Sequence, residues 1–157
     1  MSARIKGAGA SAAQTAPPET TGDYEVTEQI GHLIRRAHQR ASAVFQETLS
    51  DPSLTPMQFA ALMKLADGPL SQNHLGRLTA MDPATVQGVI RRLEERGLID
   101  RRADERDRRR TLLTLSAEGR ALAEALVPSA EAVSRKTLAP LSAAEQATLI
   151  RLLKRLA

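Results

Sequence analysis

The chain has 157 residues, 42% of them apolar and only 2% aromatic (Tyr24, Phe45 and Phe59, with no Trp). That balance suits a core of packed aliphatic helices better than a β-sandwich, and it argues against single-strand or RNA binding through base stacking. The formal net charge of +4 is compatible with a polyanionic partner, and the absence of cysteine excludes a disulfide framework, a thiolate metal site, a Cys nucleophile and a thiol redox sensor.

The length fits one domain, or one domain with a dimerisation extension. No apolar run approaches the roughly 20 residues of a membrane span, and the N-terminus lacks a secretory core, so a cytoplasmic protein is expected. Residues 1–22 are rich in Ala, Gly, Ser, Thr and Pro and read as a disordered tail carrying Arg4 and Lys6.

From Tyr24 the pattern becomes helical. Ile30, Leu33, Ile34, Ala37, Ala41, Val44, Phe45 and Leu49 recur at three- and four-residue steps, and Asp51-Pro52-Ser53 ends the run. This stripe needs a partner, either the domain core or a second subunit. Thr55-Pro56 starts a short helix with Phe59, Leu62, Met63 and Leu65 inward, closed by Asp67-Gly68-Pro69. Ser71 caps a third helix expected to bury Leu75 and Leu78. Asp82-Pro83 opens a fourth with Val86, Val89, Ile90 and Leu93 inward, ending at Gly97.

The period then changes. Leu98–Arg102 and Thr111–Leu115 predict two strands around a charged tip. Ser116 caps a long helix through about Leu138, in which Pro128 is expected to make a kink or a junction. Ser142 and Glu145 form a capping box ahead of a last helix striped by Leu149, Leu152, Leu153 and Leu156. The fold class is therefore mainly α with a β-hairpin wing, a winged helix-turn-helix between terminal helices. Its expected parts are the tail, a first helix over 23–52, a DNA-binding unit over 53–116 and terminal helices over 117–157.

The fourth helix has the chemistry of a major-groove reader. Ala84, Thr85, Gln87, Gly88, Arg91 and Arg92 lie away from its apolar face: small residues allow close approach, Thr85 suits phosphate or a thymine methyl, Gln87 adenine, and Arg91 guanine or phosphate. Residues 91–110 hold nine Arg and six acids, a net +3. An Arg-rich tip beside a recognition helix suits a narrow minor groove, with the acids orienting arginines through bidentate pairs. A merely solvated charged turn is the bland alternative.

The stretches LTPMQFAAL, PLSQNHLGRLTAMDPATVQGVIRRLEERGLIDRR, DERDRRRTLLTLSAEG and LSAAEQATLIRLLKRL resemble the MarR family of bacterial regulators, in that family's order and spacing. The resemblance implies a homodimer interlocked through its terminal helices, each lobe reading half of a palindromic duplex DNA site. It implies that Arg109 enters the minor groove, that Asp107 orients it, and that Arg106, Arg108 and Arg110 contact phosphate. Ser71, Gln72 and the fourth helix match the helix-turn-helix contacts. GHLIRRAHQRA and LGRLTAMDPATVQGVIRRL resemble the subgroup that represses degradation of nicotinate and related aromatic acids, which implies a small aromatic carboxylate such as 6-hydroxynicotinate as effector.

An acid-binding pocket needs an apolar slot, a cation and a polar group for ring substituents. His32 and Arg36 share a helix face, and with His38 and His74 they are the candidate ligand contacts. Solvated or intersubunit pairs are the alternative for each. A metal sensor is a rival, but His32 and His38 stand six apart and no H-x-x-x-H or dense His/Glu cluster is present. No catalytic motif, metal site or cofactor is expected, and an enzyme is disfavoured. A DNA-binding protein without any ligand is a further reading.

Overall fold

The structure, a computed structural model, describes residues 25–105, 107 and 109–156. The expected tail over 1–22 and the wing residues Arg106 and Arg108 lie outside the described residues. A 3-10 turn at Val26–Glu28 leads into α1 (Ile30–Thr48), α2 (Pro56–Ala66), α3 (Gln72–Leu78) and α4 (Pro83–Glu95). The hairpin strands β1 (Ile99–Ala103) and β2 (Thr111–Leu115) follow, then α5 (Ala117–Leu138) and α6 (Ala143–Leu156).

Helix starts are set by side chains that satisfy otherwise orphaned amides. At α2, the Thr55 hydroxyl accepts from the Gln58 amide at 3.2 Å while the Gln58 side chain accepts from the Thr55 amide at 2.8 Å. Ser71, Asp82 and Ser116 cap α3, α4 and α5. Ser142 and Glu145 close the expected box at α6, the Ser142 amide donating to the Glu145 carboxylate at 2.8 Å.

One core joins these elements. Ala61, Leu62 and Leu65 of α2 meet Leu75 of α3 and Val86, Val89, Ile90 and Leu93 of α4. Leu98, Ile99, Leu113 and Leu115 at the hairpin, Ala123 and Leu126 of α5, Phe45 of α1, and Leu49 and Leu54 after it complete it. Each large buried aliphatic side chain contributes about 1.5–3 kcal/mol over exposure. Phe45 packs edge-on against Phe59 at 5.6 Å between ring centroids. The strands pair antiparallel, Ile99 opposite Leu115 and Ala103 opposite Thr111. Leu70 adds a short third edge, exchanging backbone bonds with Leu113 at 3.1 and 2.8 Å.

Three expectations are corrected. Leu78 is 47% exposed, because α3 spans only seven residues and its last turn projects past the core that Leu75 reaches. The first strand begins one residue later than expected, at Ile99, since the Leu98 amide still bonds back to Leu93. The first helix starts at Ile30 after the 3-10 turn, not at Tyr24, and ends at Thr48, about five turns in all. As expected, α5 runs to Leu138 with Pro128 inside it. Pro128 and Glu124, whose carbonyl loses its donor there, are both on the exposed side, where water can supply the bond.

Only the end of α1 reaches the core. Phe45 is buried, whereas Ile30 is 68% exposed and Leu33 and Ile34 are also open. The α1 shaft is tied to the end of α5, with Arg40 donating to the Lys136 and Thr137 carbonyls and Lys136 to the Thr48 hydroxyl. Helix α6 buries no residue, and Ile150, Leu152, Leu153 and Leu156 all face outward.

The L-x-L-S-x-x-G run at 113–119 has a steric basis. Ser116 donates its hydroxyl to the Gly97 carbonyl at 2.7 Å and accepts from the Gly119 amide at 3.0 Å. A Cβ on Gly119 would stand 1.9 Å from the Leu98 carbonyl oxygen. Gly119→Ala is therefore expected to lower the urea midpoint, by about 1–3 kcal/mol or more in unfolding free energy, as overpacking does. Gly31→Ala, where a Cβ meets nothing within 4 Å, is expected not to lower it; equal losses at both positions would refute the account.

Candidate nucleic-acid interface and adjoining cleft

Helix α4 is presented by a tightly built turn. Gly76 of α3 lets the chain fold back closely, since a Cβ there would lie 3.3 Å from the Met81 carbonyl oxygen. Ala80 turns the corner in the left-handed region at φ 53°. Asp82 then gathers the start of α4, accepting from the Ala84 and Thr85 amides, both at 2.9 Å, and from the Thr85 hydroxyl. The Thr85 hydroxyl, followed by these amides, holds the Asp82 carboxyl below its ordinary value of 3.8. Thr85 thus spends its proton on its own helix cap and offers a neighbour its methyl and a lone pair, not a donor.

The outward side of α4 carries Gln87 and Arg91 in solvent, with Ala84 exposed near the start. Arg91 makes an exposed pair with Glu95 at 3.6 Å, a contact weak enough to be exchanged for phosphate or a base edge. Ser71 accepts from the His74 amide at 3.3 Å and keeps its own proton for a further acceptor. Beside it a polar hollow of about 430 Å³ runs from Ser71, Gln72, Asn73 and Arg77 across to Arg110 and Thr111 of the wing. Asn73, Arg77 and Thr111 were not singled out from the sequence. The Asn73–Arg77 spacing of four, which places both on one face of α3, is the signal that points to them.

The wing tip is braced by its own acids. The Asp107 carboxylate accepts from the Arg109 amide at 3.0 Å, the Asp107 carbonyl from the Arg110 amide at 2.8 Å, and the Arg110 carbonyl from the Asp104 amide at 2.9 Å. Asp107 thus orders the Arg109 backbone, and among the described residues no ion pair holds the Arg109 guanidinium, which is left in solvent. At the wing base Arg101 grips Glu94 of α4 with two bonds, 2.5 and 3.2 Å. This bidentate pair ties the hairpin to the fourth helix.

On the other side of α4 lies a cleft of about 730 Å³. Helix α1 contributes His38, Ser42 and Gln46; the start of α2 contributes Pro56, Met57 and Ala60; Thr55, Thr79, Met81 and one edge of α4 complete it. That edge consists of Ala84, Thr85, Gly88, Val89 and Arg92. Four residues expected to face DNA thus also line the cleft, whereas Gln87 and Arg91 do not. Of the four candidate ligand contacts only His38 lines it. His32 is half-buried further up α1, Arg36 is exposed on α1 and His74 is exposed on α3. Ser42 and Gln46 went unnoticed in the sequence, although 38, 42 and 46 form a polar row at helical spacing. Among the described residues no group of three His, Cys, Asp or Glu is placed to hold a metal ion, and no helix is long and apolar enough to cross a membrane.

The chain matches the model of the MarR family over residues 53–110. It is 41% identical over 143 residues to the HTH-type transcriptional repressor NicR of Pseudomonas putida, covering 90% of each chain. A probable transcriptional regulator from Pseudomonas aeruginosa superposes with a TM-score of 0.82 at 51% identity, over 85% of this chain and 100% of that one. Bordetella bronchiseptica BpsR, whose structure addresses regulation of its DNA binding by 6-hydroxynicotinic acid, superposes with a TM-score of 0.81 at 45% identity, over 86% and 97%.

Two outcomes test this interface. Arg109→Ala is expected to weaken specific duplex binding by about 1–3 kcal/mol with the thermal unfolding profile unchanged. Full retention of affinity would remove the wing from the interface. Asp82→Ala is expected to lower the melting temperature at neutral pH. Because the folded carboxyl titrates below its unfolded value, that stabilisation is complete above the unfolded value and disappears as pH falls through the lowered one. The gap between the two proteins should therefore close in acid; a pH-independent gap would contradict the capping role.

Proposed function

The chain belongs to the MarR family of DNA-binding transcriptional regulators, which are not enzymes, and on that premise we propose that it is a homodimeric repressor of aromatic acid catabolism of the nicotinate type. It holds a palindromic operator in the cytoplasm and releases it when a small aromatic carboxylate such as 6-hydroxynicotinate binds. The observation that carries this reading is the cleft beside α4. It sets two cationic or ionisable groups, His38 and Arg92, around an apolar lining that includes Met57, Ala60 and Met81. That is the donor set a planar carboxylate requires. The likeness to BpsR supports the same effector class, and the likeness to the repressor NicR supports repression.

Residues 53–116 form the operator-reading unit of this proposal. Ser71, Gln72, Ala84, Thr85, Gln87, Arg91 and Arg92 face the major groove or its phosphates, Arg109 enters the minor groove beside Asp107, and Arg106, Arg108 and Arg110 contact phosphate. The open apolar side chains of α1 and α6 are covered by a second copy, a burial that water strongly favours. His32 and Arg36 stand on that uncovered half of α1 and would join the effector site across the dimer. His74 would close on it from the DNA-binding unit. Effector binding acts by favouring the lobe arrangement that fits DNA poorly, and it shifts the balance only by its difference in affinity for the two arrangements.

The test is binding to the duplex upstream of the protein's own gene, with acids titrated in. A dimer on that duplex, released by 6-hydroxynicotinate or nicotinate and insensitive to benzoate, salicylate and protocatechuate, is expected. Release by one of the benzene acids instead would keep the repressor and replace the effector. A response abolished by a chelator would replace the acid by a metal. Affinity should also fall steeply with added salt as phosphate contacts release counterions, and a flat salt profile would remove the phosphate contacts.

A further inference from the structure

Glycine is the poorest helix former after proline, yet Gly88 sits in the middle of the 13-residue α4. Packing does not require it. A Cβ at Gly88 would meet nothing within 4 Å, in contrast to Gly76 and Gly119, whose neighbours leave no such room. Its backbone angle does not require it either, since only Gly68 and Gly97 among the described glycines have positive φ. The missing side chain therefore serves something outside this chain.

Its location indicates what. Gly88 lines the 730 Å³ cleft between Thr85 and Arg92, across from His38 and Met57. Gln87 and Arg91, on the solvent side of the same helix, do not line it. We propose that Gly88 is the specificity-determining residue of the effector cleft: bare α4 backbone at this point lets a flat ring lie against the helix, and any side chain here narrows the slot. This rests on the effector reading above and adds a residue to it. Glycines in helices are also used for close approach of DNA backbone, and the experiment separates the two.

Wild type, Gly88→Ala and Gly88→Leu are compared by thermal melting, operator affinity, and release of operator by 6-hydroxynicotinate and by benzoate. Gly88→Ala is expected to melt at or above the wild-type temperature, to bind the operator within about threefold, and to need at least tenfold more 6-hydroxynicotinate for release. Gly88→Leu is expected not to respond; should it fail to fold, the alanine variant alone decides. Loss of operator affinity with an unchanged effector response would overturn the proposal and assign Gly88 to the DNA. Equal effector response in wild type and Gly88→Ala would overturn it while leaving the effector reading intact. A wild-type protein indifferent to both acids would overturn both.

Discussion

The junction between the end of α4 and the start of α5 governs the geometry of everything around it. Gly97 turns the chain at φ 69°, and the Leu98 carbonyl accepts from the Ser116 amide at 3.1 Å. Ser116 also bonds Gly97 and caps α5 through Gly119, which must be a glycine for Leu98 to pass. One side chain and one missing side chain thus close the base of the wing and aim α5 away from it. With Leu70, between α2 and α3, pairing to Leu113 on the far edge and Arg101 gripping Glu94 of α4, the hairpin is fixed to the domain at three places. Only its tip, held by local Asp107 bonds, is left free to follow a partner.

Charge is used twice in this arrangement. At the wing base and behind α4 acids lock arginines in place: Glu94 holds Arg101, and Asp51 holds Arg96 at 2.7 Å. At the exposed surfaces arginines carry weak pairs or none, as with Arg91 and Arg109, so their positive field is available to phosphate. The net charge of +3 over residues 91–110 is unchanged by this pairing, since each ion pair within the segment uses one charge of either sign, and the pairing leaves the exposed arginines to carry the excess.

Helix α4 has two working edges, and this is the basis for regulation under the proposed function. Gln87 and Arg91 face solvent, whereas Thr85, Gly88 and Arg92 border the cleft with His38. A ligand in that cleft would touch the reading helix itself, with no long relay required. The coupling then depends on how differently the two lobe arrangements bind the ligand. The uncovered faces of α1 and α6 supply the other element, a surface against which lobes can be set in a defined spacing.

Local chemistry was legible from the residues. Caps at Thr55, Ser71, Asp82, Ser116 and Ser142, the inward face of α4 and the return strand Thr111–Leu115 depend on neighbours within about four positions, and periodicity and capping carry that information directly. The arginine-rich tip and the L-x-L-S-x-x-G run were visible as patterns, but the reason for Gly119 was not, because its obstacle is the Leu98 carbonyl, 21 positions earlier. Leu78 was misjudged for the same cause: whether a residue is buried depends on what lies across from it. The lining of the cleft was beyond sequence reasoning, since it comes from α1, α2 and α4, which only tertiary packing brings together. The sequence by itself determined the elements, their order and the family, because these follow from short-range patterns. Only the tertiary structure decided which edge of α4 turns to the cleft, that His38 and not His32 borders it, and why one glycine is forced and another is not, because these depend on distances between residues far apart in the chain.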